Sequence, residues 1–74
     1  MNKPHLTDRA TVIDAMSRQI TGEGVVDRVL RLADEGKSWR LIALDLYDLT
    51  GVRVTHETVR GWAIEWAHHR EPAA

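Results

Sequence analysis

The chain is 74 residues long, with 10 Lys and Arg against 11 Asp and Glu, and its net charge of −1 gives it no global positive field. One domain is the only reasonable count at this length; folding buries about 60% of the unfolded surface, so a second subunit would help a marginal core. The lack of cysteine excludes disulfides, zinc–thiolate sites and thiol nucleophiles together.

Residues Met1 to Leu6 are expected to be a loose start, because Pro4 opposes early helix formation. This segment lacks the apolar core of a signal peptide. The longest aliphatic run, Leu41-Ile42-Ala43-Leu44, is too short to cross a bilayer. The expectation is a soluble cytoplasmic protein. Thr7 or Asp8 caps a first helix over 7–20, whose Ala10, Ile13, Met16 and Ile20 form one apolar stripe. Val12 lies off that stripe. Thr21-Gly22-Glu23-Gly24 breaks the helix.

A second helix over 23–35 has a wide apolar face of Val25, Val26, Val29, Leu30, Leu32 and Ala33, which marks it as the innermost. Gly36 supplies a left-handed stop, and Ser38 caps the next helix. This third helix, 39–50, carries Leu41, Ile42, Ala43, Leu44, Leu46, Tyr47 and Leu49, with Asp45 and Asp48 on a solvated edge, and ends at Gly51. Val52-Arg53-Val54 is a short extended connection with its valines inward and Arg53 outward. Thr55 caps a fourth helix, 55–69, and Pro72 and the last alanines are tail. The expected fold is all-α: a small four-helix domain with a tri-helical helix-turn-helix core and no wing.

On a helical wheel, Val59, Trp62, Ala63 and Trp66 share one side of the fourth helix. Glu57, Arg60, Gly61, Ile64 and His68 lie largely opposite, with Thr55 and His56 at the amino-terminal tip. A helix that reads the major groove needs this division, one side anchored and the other free to reach base edges. Arg60 then donates to guanine, Glu57 accepts from a cytosine amino group, and His56 touches a base or phosphate. Thr55, Thr58, Lys37, Ser38, Arg40 and Arg53 are the candidate phosphate contacts. Gly61 in mid-helix costs about 1 kcal/mol relative to alanine, which makes sense if a side chain there collides with DNA or with a neighbouring helix.

The runs Gly36-Lys37-Ser38-Trp39-Arg40-Leu41-Ile42-Ala43 and Thr50-Gly51-Val52-Arg53-Val54-Thr55-His56-Glu57-Thr58-Val59-Arg60-Gly61-Trp62 resemble homeodomain-like helix-turn-helix domains. Similar segments occur in small phage regulators, transposases and site-specific recombinases. The hallmarks are the Ile42-Ala43 pair and the Thr58-Val59-Arg60-Gly61-Trp62 run. The resemblance covers about Val25 to Trp66 and implies a small regulator that binds double-stranded DNA, commonly as a homodimer. Ala43 and Val59 are 16 positions apart, more than in the shortest such units, which implies a longer first helix and a looser turn. Val12 and Ile64 are the candidate dimer contacts.

Other readings compete with this one. Trp62 and Trp66 at helical spacing are core rather than a stacking platform, and Trp39 is half exposed. His56-Glu57 opens like a zinc-protease motif, but Arg60 stands where the second histidine belongs. His68 and His69 diverge around the helix, and no nucleophile–base arrangement stands out. Neither a metal, a cofactor, a small-molecule ligand nor an enzymatic activity is expected. Glu57 and Arg60 could simply pair with each other at i, i+3. The alternative function is a protein-interaction module with this fold that binds no DNA, favoured by the near-neutral charge and the outward Ile64.

Overall fold

The computed structural model describes residues 6–69, which form four helices and no strand: α1 (Asp8–Thr21), α2 (Val25–Asp34), α3 (Trp39–Thr50) and α4 (His56–His69). Their bounds lie within two residues of those read from the sequence. Residues 1–5 of the expected loose start, and the tail with its expected lack of a wing, fall outside the described residues. Leu6, the last residue of that start, is half-buried and packs against the core.

Several helix ends are closed by groups that the adjoining sequence provides. The Thr7 hydroxyl accepts the Ala10 N–H at 3.3 Å and the Ser38 hydroxyl accepts the Leu41 N–H at 3.2 Å, each satisfying a donor that has no partner inside its helix. At the other end of α2, Gly36 adopts φ 85°. Its N–H donates to the Ala33 carbonyl at 3.0 Å while the Lys37 N–H donates to the Leu32 carbonyl at 3.1 Å. That paired closure requires the left-handed conformation that glycine adopts without a Cβ penalty.

The start of α2 is closed differently. Gly24 has no side chain to cap with, so the Asp14 carboxylate of α1 accepts the Val25 N–H at 2.9 Å. Gly24 is not in a left-handed conformation, and the ends of two α1 side chains lie close over it. A Cβ built there would lie 2.6 Å from Asp14 Oδ1 and 2.6 Å from Arg18 Nη2. The same corner is tied by Ser17, fully buried, whose hydroxyl donates to the Glu23 carbonyl at 2.6 Å.

The α1 stripe differs from expectation at its end. Ala10 and Ile13 are buried and Met16 is half-buried, but Ile20 is 55% exposed. The chain turns away at Gly22, so no helix lies over the last turn of α1. Ser17 takes the inner position instead, its hydroxyl satisfied by Glu23. Asp45 also departs from the solvated role expected of it. The Arg28 guanidinium donates to both of its oxygens, at 2.7 and 2.9 Å, and so clamps α2 to α3. Asp48 is exposed as expected.

Val25 and Val29 of α2, Ile42 and Leu46 of α3, and Val59 and Trp66 of α4 are the centre of the core, each with almost no exposed surface. Burying a side chain of this size contributes about 1.5–3 kcal/mol. Helices α2 and α3 each run close to the other three, whereas no Cα of α1 comes within 8 Å of one in α4. That arrangement decides what the fourth helix can present. No helix among the described residues is long and apolar enough to cross a membrane.

Candidate nucleic-acid interface

The amino-terminal end of α4 is fixed by Thr55, whose hydroxyl oxygen accepts the Thr58 N–H at 3.1 Å and whose proton goes to the Thr58 oxygen at 2.9 Å. The Thr55 hydroxyl is thereby committed inside the protein. That of Thr58 keeps a proton to donate elsewhere. Ser38 stands between these cases: its oxygen caps α3, and its proton is not used there. Of the three hydroxyls read as phosphate donors, Ser38 and Thr58 retain that capacity.

One side of α4 is anchored as its spacing requires. Val59, Trp62, Ala63 and Trp66 are buried, and the Trp62 and Trp66 rings stack with centroids 5.3 Å apart and planes 23° from parallel. Stacked indoles at i, i+4 give a stiff inner surface, which holds the outer one in a fixed orientation. Trp39 is half-buried beside this cluster.

The outer side is open. His56, Glu57, Arg60, Gly61, Ile64 and His68 are all exposed, and α1, the one helix not used to anchor α4, does not reach it. Glu57 and Arg60 make no ion pair with each other, so the simple i, i+3 surface pair is not formed. A Cβ at Gly61 would meet no atom within 4 Å among the described residues. Collision with a neighbouring helix therefore does not explain this glycine, and its backbone lies bare between Arg60 and Ile64.

Charge is distributed unevenly over the molecule. The ion pairs use Arg18 with Asp14, Arg28 with Asp45 and Glu23, and Arg31 with Glu23 and Glu35. The hub is Glu23, where hydrogen bonds from Arg31, opposed by burial, hold its carboxyl below the ordinary value of 4.5. The Arg28 and Arg31 guanidiniums are correspondingly raised, chiefly by their hydrogen bonds to Asp45 and Glu23 respectively. These networks bind more acids than bases, and lie on α1, α2 and its carboxyl-terminal cap Glu35, the connection between the two helices, and Asp45 of α3. Among the described residues, Lys37, Arg40, Arg53 and Arg60 enter no ion pair. Four of the described cations outside these ion pairs therefore lie at the start of α3, on α4 and in the turn between them, and the fifth, Arg9 of α1, donates to the Arg53 carbonyl of that turn.

Arg53 belongs to the connection between α3 and α4, with Val52 half-buried and Val54 buried on either side of it. Its guanidinium lies over the Tyr47 ring, 5.3 Å from the centroid. Its carbonyl accepts a hydrogen bond from Arg9 of α1 at 3.3 Å. Neither contact was legible from the spacing of residues, because both depend on how the connection folds back across α3. Lys37 and Arg40 flank the Ser38 cap at the start of α3, both exposed. The ten candidate site residues are therefore at the surface or half-buried, on the starts of α3 and α4, the outer side of α4 and the turn between the two helices.

Comparison with protein-family models, with curated proteins and with solved structures found no match to this chain.

Proposed function

We propose that this chain is a sequence-specific double-stranded DNA-binding protein that inserts the outer side of α4 into the major groove. The resemblance of its last two helices to homeodomain-like helix-turn-helix segments supports a small transcriptional regulator of phage or mobile-element type. The observation that carries the reading is the polar edge of His56, Glu57, Arg60 and Gly61, uncovered by any other helix and backed by a rigid pair of tryptophans.

In this reading Arg60 is the base-reading cation, donating two hydrogen bonds to guanine O6 and N7, and Glu57 accepts from a cytosine amino group. The bare backbone at Gly61 lets the helix approach the groove floor. Lys37, Arg40 and Arg53 neutralise phosphates, helped by the Ser38 and Thr58 hydroxyls and by the dipole at the α4 amino terminus acting on an anion near His56. Two copies related by a two-fold axis would double these contacts on half-sites roughly 34 Å apart. The protein then works in the compartment that holds the DNA, associated with the nucleoid.

The test is a gel-shift titration against the gene's own upstream region at several salt concentrations. With three phosphate-contacting cations per copy, log affinity falls against log salt with a slope of about −2.7, and about twice that for a dimer. A second reading, a protein-interaction module that binds no duplex, is favoured by Ile64, which is 49% exposed on the same side of α4 as Arg60. It predicts no shift at any salt concentration.

A further inference from the structure

The surface between α3 and the turn that follows it contains an apolar hollow edged by cations, and this combination is not what a phosphate contact alone requires. Two adjoining depressions, of about 350 and 280 Å³, share Ala43, Leu44 and Val54 as their floor. Leu44 is 57% exposed and Tyr47, one turn further along α3, is 41% exposed. Arg53 edges one depression, and Arg40 and His56 edge the other. Among the described residues no acid lines either, in a chain where acids outnumber bases.

We propose that this groove is the docking site for an acidic amphipathic helix of a partner protein. Charge and shape together select that occupant. A phosphate backbone satisfies Arg40 and Arg53 but gains nothing from Leu44, since a hydrated anion does not remove apolar surface from water. A helix with apolar side chains at i, i+3 and i+4 covers Leu44, Ala43 and Val54, and carboxylates on its flanks reach the cations on both sides. Arg53 suits this role because its guanidinium rests over the Tyr47 ring, which fixes the plane while its N–H edges remain able to meet a carboxylate in two places. A basic helix is repelled by Arg40 and Arg53, and a neutral one leaves them unpaired.

Docking there stands on the groove alone. Its regulatory consequence rests on the duplex-binding reading: Arg40, Arg53 and His56 cannot serve a partner's carboxylates and DNA phosphates together, so such a partner displaces DNA.

The test uses the full chain, immobilised, to select from a displayed library of helical peptides that share a leucine stripe and vary between acidic, neutral and basic flanks. Enrichment of acidic-flanked sequences is expected. Affinity should fall by about tenfold or more on the Leu44→Glu and Arg53→Glu variants, the scale of losing one central contact. Both positions are exposed, and circular dichroism checks that the variants remain folded. Enrichment of neutral or basic flanks, no enrichment at all, or equal binding to wild type and both variants overturns the proposal. Duplex binding by the wild-type chain is measured in parallel. Peptide binding without duplex binding leaves the docking site standing and removes only the competition; duplex binding without peptide enrichment assigns the groove to phosphate and removes the docking site.

Discussion

The Arg53 guanidinium lies over the Tyr47 ring at 5.3 Å, so the turn between α3 and α4 is held to the surface of α3 by a cation–π contact. At an exposed site this interaction contributes about 0.5–1 kcal/mol. Replacing Tyr47 with alanine should release Arg53 and weaken binding to every duplex about two- to fivefold, without changing the preferred sequence. Tyr47→Phe keeps the ring and should bind like wild type. Competition titrations on cognate and scrambled duplexes measure both effects, and a change in sequence preference on Tyr47→Ala would count against this placement of Arg53.

Arg60 and Arg53 should fail in different ways. Arg60→Gln removes a bidentate base contact, with an expected loss of about 1–3 kcal/mol on the cognate duplex and little on a scrambled one. Arg53→Gln should weaken both duplexes alike and reduce the salt slope by about 1. Titrations of each variant at three salt concentrations separate the two patterns.

Gly61 offers a case in which stability and binding move in opposite directions. Its Cβ position is empty and its φ is not positive, so Gly61→Ala should raise stability by about 1 kcal/mol through helix propensity alone. On the proposed interface the added methyl group faces the groove floor, and duplex affinity should fall. Thermal melting and a binding titration on one preparation suffice. A variant both more stable and equally tight would remove Gly61 from the interface.

The Glu23 hub predicts a pH dependence of stability. Its carboxyl is lowered from 4.5 in the folded chain, chiefly by the Arg31 hydrogen bonds, so the unfolded chain takes up a proton first as pH falls. The stabilisation is complete above about 4.5 and is lost as pH drops through the lowered folded value. Urea titrations should therefore show wild type more stable than Glu23→Gln at pH 7, with the difference shrinking below pH about 4. A difference that grows on acidification would contradict the arrangement of this ion-pair hub.

What the sequence made legible follows the helical period. Val59, Trp62, Ala63 and Trp66 recur at three- and four-residue spacing, and no arrangement of neighbours could hide all four without burying that side of α4. Gly36 and Gly51 were equally legible, since a left-handed stop is a local event. The misses are tertiary. Ile20 has the right spacing, but burial needs an opposing surface and the chain has already turned at Gly22. Asp45 looked like solvated edge because its partner, Arg28, is 17 residues away on another helix. Asp14 acts as the cap of α2 from within α1, a role set by the corner at Gly24 rather than by any local motif. For the candidate site, the residue types and their side of α4 were readable. The seating of Arg53 on Tyr47 and the internal use of the Thr55 hydroxyl were not, because both depend on the path of the turn.

The outer side of α4 is the surface proposed to meet DNA. Titrating a duplex from the gene's upstream region into isotopically labelled protein, and following the backbone amides by NMR, tests it directly. The amides of His56 through Gly61, with those of Arg53 and Arg40, are expected to shift in proportion to duplex added while those of α1 stay in place. Shifts confined to α1, or no shift anywhere at low salt, would contradict it.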